Sequence, residues 1–202
     1  IAIGSYAYDA ADTENDNLAI GYGALGGAIA GGEYNVAIGN YSLDANTSGD
    51  NNVAIGYNAL TANTTGTSNI AIGYGAYAAA DTESHNLAIG YAALGGAIAG
   101  GEYNVAIGNS TLDENTSGDN NVVVGYAGLA SNTTGANNTA SGYEVLYSNT
   151  TGSSNTAVGN YALWRTQTGS ANTAIGDYAM KQFRTDGSTY NTAVGRSSQR
   201  GP

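Results

Sequence analysis

A glycine recurs along this chain at positions 4, 21, 39, 56, 73, 90, 108, 125, 142, 159, 176 and 195, each closing a tetrapeptide such as IAIG, LAIG, VAIG or TAVG. The spacing is 17 residues, with 18 twice and 19 once. A fixed period of this length confines the chain to an architecture in which every unit repeats one local conformation. Helical repeats run to about 33 residues or more. The Gly, Asn and Thr-Thr-Gly breaks in a unit such as VAIGYNALTANTTGTSN (53–69) also leave no continuous helix-period stripe.

Read as columns, the units spell a strand. Position one is Ile, Leu or Val in eight units and then Thr139, Thr156, Thr173 and Thr192. Position two is Ala in all but Val123, and position three is Ile or Val in all but Ser141. Apolar residues flanking a small one carry the period of two, which points positions one and three at a core. Position eight, with Leu25, Leu43, Leu60, Tyr77, Leu163 and Met180, predicts a second short strand across the coil. The Ala columns at positions two and seven (Ala19, Ala37 and Ala54; Ala24, Ala59 and Ala93) suit close approach of another chain, and so a side-by-side homo-oligomer.

Glycine in every unit marks a backbone turn with positive φ. Asn closes all eleven complete units, from Asn17 to Asn191. It tolerates left-handed backbone, and stacked amides can bond along a column. The fold class that follows is all-β, a parallel β-solenoid of about twelve 17-residue coils, roughly 55 Å long at the spacing of paired strands. The chain reads as a single repeat domain, 1–202. Within it, 1–69 and 70–138 match at 52 of 69 positions and form duplicated four-coil blocks, while 139–202 holds divergent C-terminal coils.

Composition narrows the partners. There is no cysteine, so disulfides and thiolate metal sites are excluded. No apolar run approaches the roughly 20 residues of a membrane helix, which argues against membrane insertion of this segment. Residues 1–164 hold 14 acidic side chains and no Lys or Arg. Nucleic acid is therefore not an expected partner, since phosphate contacts need cations.

The segments NVAIG, NLAIG and NTAVG, followed by a small residue and Leu, resemble the head repeats of trimeric autotransporter adhesins, the YadA-like heads. Similar repeats occur in phage tail-fibre-like proteins. The resemblance covers the whole chain and implies a left-handed parallel β-roll, a homotrimer, and exposure at a cell surface or on a virion fibre. The units here are longer than in those heads, so the outer turns differ, and nothing resembling their stalk, coiled coil or anchor is present.

No catalytic constellation emerges, so neither enzymatic activity nor a cofactor is expected. His85, the only histidine, corresponds to Asp16 in the other block and reads as a solvated turn residue. Alternate carboxylates in DTEND (Asp12, Glu14, Asp16) and DTESH (Asp81, Glu83) could ligate a hard cation; the lost ligand in the second copy favours solvated charge, and no metal site is assigned. GGAIAGGE (26–33 and 95–102) lacks the Gly-Lys-Ser/Thr ending of a phosphate loop. The Asn-x-Ser/Thr matches at Asn46, Asn63, Asn115, Asn132 and Asn149 follow from the repeated turns.

Tyrosine carries more information. Tyr22, Tyr57, Tyr74, Tyr91, Tyr126 and Tyr143 directly follow the repeat glycine, and Tyr41, Tyr161 and Tyr178 stand one place later. They predict an aromatic stripe suited to interchain packing or to recognition of a protein or glycan. Trp164, Met180 and Phe183 gather near the C-terminal end with all five basic residues, where they could close the core or dock a neighbour. Arg184, Arg196 and Arg200 are candidates for an end-to-end contact with an acidic neighbour. The function expected is a structural and adhesive extracellular rod that contacts a host or cell surface repeatedly. The alternatives are a self-assembling filament or viral-fibre subunit and, more remotely, an ice-binding solenoid, for which only the four late Thr residues speak.

Overall fold

The computed structural model describes residues 1–8, 16–27, 31–96, 101–182 and 187–199. Twelve short strands, one per repeat, run from β1 (Ala2–Ile3) and β2 (Leu18–Ile20) through β3 (Val36–Ile38) and β4 (Val53–Ile55) to β12 (Thr192–Val194). They form one twelve-stranded parallel sheet in strict sequence order. The register is that of the repeat: Val36 faces Val53, Ala37 faces Ala54 and Ile38 faces Ile55. Each coil, numbered by its strand, thus lies directly on the one before it, and the chain is a parallel β-solenoid.

The glycine column makes this stacking possible. Gly56 has φ of 137°, and a Cβ there would lie 2.4 Å from the carbonyl oxygen of Gly73 in the next coil. Any side chain would force the coils apart while adopting a backbone that L-residues avoid.

The Asn column is a ladder through the interior. Asn52 donates its backbone N–H to Asn35 Oδ1 at 2.9 Å, and its side-chain amide to the Gly66 carbonyl at 2.8 Å. The first of these contacts repeats from Asn35 to Asn191. The left-handed residue is not the Asn but the one before it, as at Asn51 and Ser68, both with φ of 58°. Asn46, Asn63, Asn115, Asn132 and Asn149 form a second buried column. Asn63 Nδ2 donates to Asn46 Oδ1 at 3.1 Å, while Asn63 Oδ1 has no partner because the next coil offers Ala80. Burial places all five of these Asn side chains out of reach of glycosylation.

Two expectations are corrected. First, the inward and outward faces of the strand are reversed. Ala19, Ala37 and Ala54 at position two are fully buried, together with Ala24 and Ala59 at position seven and the Leu column at position eight. The Ala columns therefore face the coil's own core and cannot receive another chain. Positions one and three point outward, and most of their Val, Ile and Leu side chains are only half-buried. The reason is space: a 17-residue coil leaves room for Ala between the sheet and the Leu column, and little more. Val123, the one larger residue at position two, is accommodated because position seven of its coil is Gly128, whose Cβ would lie 2.6 Å from Val123 Cγ1.

Second, the Leu column does not lie on a strand. Asn58 and Leu60 both adopt left-handed φ, 54° and 52°, with one residue between them. Alternate N–H groups consequently point to opposite neighbours: Tyr41 donates to Tyr22 O below and Leu43 to Ala59 O above. Left-handed Leu costs about 1–2 kcal/mol, which burying the side chain, at about 1.5–3 kcal/mol, offsets. The later bulky residues divide: Met180 continues the buried Leu column, whereas Trp164 stands on the outside of the coil. Phe183 lies outside the described residues.

Candidate functional site

Three features of the surface could act on something else: an apolar sheet face, a lane of tyrosines and a notch in that lane. The sheet face follows from the reversed strand. Ile70, Val122, Val124, Val158 and Ile175 are each about two-fifths exposed, within two outward columns that run the length of the sheet. None of the twelve described strands carries a charged residue. Towards the C-terminus, position one of this face changes from Val to the Thr column of 139, 156, 173 and 192.

The six predicted tyrosines all occupy the corner where the chain leaves the strand. Tyr57, Tyr74 and Tyr91 form one parallel stack, with ring centroids 5.2 and 5.4 Å apart. Tyr22 joins them edge-on through Tyr41. Tyr126 and Tyr143 form a second stack at 5.1 Å, which Tyr161 and Tyr178 extend. Where Asn stands directly after the glycine, it caps the preceding Tyr: Asn40 Oδ1 accepts the Tyr22 N–H at 3.0 Å. The tyrosine then moves one place along and stays in the lane, as Tyr41 does. Stacked rings turn their faces to one another, so the parallel parts of the lane present edges and hydroxyls outward.

The lane breaks once, at coil 7. There Asn109 caps the Tyr91 N–H at 3.0 Å, but the following residue is Ser110 where the first block has Tyr41. The gap opens into a notch of about 270 Å³ lined by Ser110, Asp113, Glu114, Tyr126, Glu144 and Tyr147. Its floor is Ala127 and Ala130. Glu144 is held in place: Trp164 Nε1 donates to its Oε2 at 3.0 Å. A further hydrogen bond to Glu144 pushes the Tyr143 hydroxyl up to about 12. Burial, with Glu114 beside it, raises the Asp113 carboxyl above the usual range.

The chain matches no family model, no curated protein and no solved structure. What the coordinates establish is the broad class, a parallel β-solenoid repeat protein. The likeness to YadA-like heads and tail fibres rests on the repeat sequence.

The remaining candidates are dispersed. His85 is exposed and stacks on Tyr103 with ring centroids 5.0 Å apart. Glu83 turns inward to accept the N–H groups of Asp81 and Thr82, away from any cation Asp81 could hold. Asp16 is exposed; Asp12 and Glu14 lie outside the described residues, as does the middle of each GGAIAGGE segment. Among the described residues, no group of three or more His, Cys, Asp or Glu is placed to hold a metal. Also among them, no helix is long and apolar enough to cross a membrane. Arg196 is exposed, whereas Arg184 and Arg200 lie outside the described residues. Sequence reasoning missed the second Asn column and the notch. The repeated Asn-x-Ser/Thr register signalled the first, and Ser110 in place of Tyr41 signalled the second.

Proposed function

We propose that this chain is a rigid structural rod that associates side by side with copies of itself and serves extracellular attachment. The observation that carries this reading is the outward Ile/Val face. An apolar strip on a regular sheet, here with both columns aliphatic through coils 1 to 8, is covered in stable proteins, and a second copy is the partner that suits it. Its columns have the same repeat along the whole length, so two faces can pack without a change of register. The acidic turns lie off this face, so like-charge repulsion between copies does not oppose the contact at its centre. Attachment then follows from avidity, because identical weak contacts recur at every coil. A homotrimer is the arrangement the YadA-like resemblance favours, with a host protein or glycan as the target. Polymerisation into a filament or viral fibre is the second reading. Ice binding has less support, since the outward Thr column spans four coils only.

Sedimentation equilibrium tests the proposal. The native chain should sediment as a small integral multiple of its 20.2 kDa mass. Ile38→Lys with Ile55→Lys, at half-buried outward positions, should give a folded monomer with an unchanged circular dichroism spectrum. A native chain that is monomeric at all concentrations would contradict it.

A further inference from the structure

The notch at coils 7 to 9 has an origin that the duplication exposes. Within the second block, 17 of 69 positions differ from the first, yet five of the seven notch-lining positions in that block differ. Tyr41 has become Ser110, Ala45 has become Glu114, Asn58 has become Ala127, Thr61 has become Ala130 and Ala62 has become Ser131. Three of the changes, at 110, 127 and 130, remove bulk, while Glu114 adds a carboxylate and Ser131 moves a hydroxyl one place along from Thr61. Just beyond the second block, Glu144 and Tyr147 stand where Gly75 and Ala78 follow the first block.

The same outer lane shows, two coils on, what such a surface holds. The Lys181 ammonium lies 4.2 Å from the Tyr161 ring centroid, 4.5 Å from that of Tyr178 and 5.2 Å from that of Trp164. Trp164 also stacks on Tyr147 at 6.2 Å and donates to Glu144, so the ring beside the caged ammonium touches two residues that line the notch. In the notch the aromatic rings are again present, now with three carboxylates, while the nearby cations Lys181 and Arg165 are engaged on Trp164. Those carboxylates are not placed to share a metal ion.

We propose that the notch is a binding site for a primary ammonium group, seated between Tyr126 and Tyr147 and paired with Asp113, Glu114 and Glu144. Rings attract the cation through their faces and edge-lining carboxylates accept its N–H groups. Ser110 and Ser131 add hydroxyls for whatever carries the amine. A lysine side chain on a partner protein and an amino sugar share this chemistry. The site does not depend on self-association of the rod.

Titration calorimetry separates the sources, using Nα-acetyl-lysine methylamide and glucosamine against their uncharged counterparts, N-acetylnorleucine methylamide and N-acetylglucosamine. The expected result is that the ammonium probes bind and that the uncharged ones bind at least about tenfold more weakly. Tighter binding of the lysine probe assigns a protein source, and tighter binding of glucosamine an amino sugar. Ser110→Tyr, which restores the first-block residue, should abolish binding. Glu144→Gln should weaken it about tenfold. Neither variant should change the sedimentation of the rod, so failure here is distinguishable from failure of the self-association reading. Equal binding of the uncharged probes, full binding by Ser110→Tyr, or no binding of either ammonium probe at millimolar concentration would overturn the proposal.

Discussion

Asn69 donates its backbone N–H to the side-chain Oδ1 of Asn52 at 2.9 Å, and both residues are fully buried. Asn52 thereby serves three coils: it receives Asn69, reaches Asn35 below and holds the Gly66 carbonyl with its amide. Asn52→Ala strands the buried Asn69 N–H, while the Gly66 carbonyl keeps only the Asn63 amide, and should cost about 2–3 kcal/mol. Exposed Asn51→Ala should cost about 1 kcal/mol, set by its left-handed backbone. Urea denaturation of the two variants checks the contrast, and equal losses would contradict the ladder.

Val123 and Gly128 form a compensated pair across the interior, replacing Ala54 and Ala59 of the first block. Gly128→Ala drives a methyl against Val123 Cγ1 and should cost about 1–3 kcal/mol. The cost should largely vanish in a Val123→Ala background. A double-mutant cycle should return a coupling of about 1–2 kcal/mol; additive losses would mean that the two side chains do not compete for space.

This pair explains what the sequence concealed. The 17-residue period, the glycine turns and the parallel stack were legible, because each imposes one residue type at one place in every coil. Which face of the VAI strand points inward was not. Hydrophobicity ranks Val and Ile above Ala, so the alternating pattern points them at a core, while the width of that core is a property of the closed coil. Left-handed Leu60 was hidden for a related reason, since stacking and burial override its local preference. The tyrosine lane could be read from its offset of one or two residues after glycine. The notch could not, because its walls come from three coils and its opening from what Ser110 lacks.

Asp113 offers a test by pH. Its carboxyl is raised by burial and by Glu114, so the folded state holds this proton more tightly than the unfolded chain does. The folded state is therefore favoured in acid, and that advantage is lost as pH rises from the usual Asp value, near about 3.9, through the raised one. Asp113→Asn should melt above the native chain at pH 7. The gap should close as pH falls below about 3.9, where both states are protonated. A gap independent of pH, or a less stable variant at pH 7, would show that this carboxylate does not oppose folding.

The rod itself can be measured with pairs of spin labels, because the chain has no native cysteine to interfere. Asn51, Asn120, Asn137 and Ser154 are exposed and occupy one corner of the coil. Cysteine pairs joining position 51 to 120, 137 and 154, diluted with unlabelled protein, span four, five and six coil steps. Pulsed electron double resonance should return distances of about 19, 24 and 29 Å, rising by roughly 4.8 Å per coil. Distances that fail to increase with each added coil would contradict a stacked solenoid and, with it, the outward face on which self-association depends.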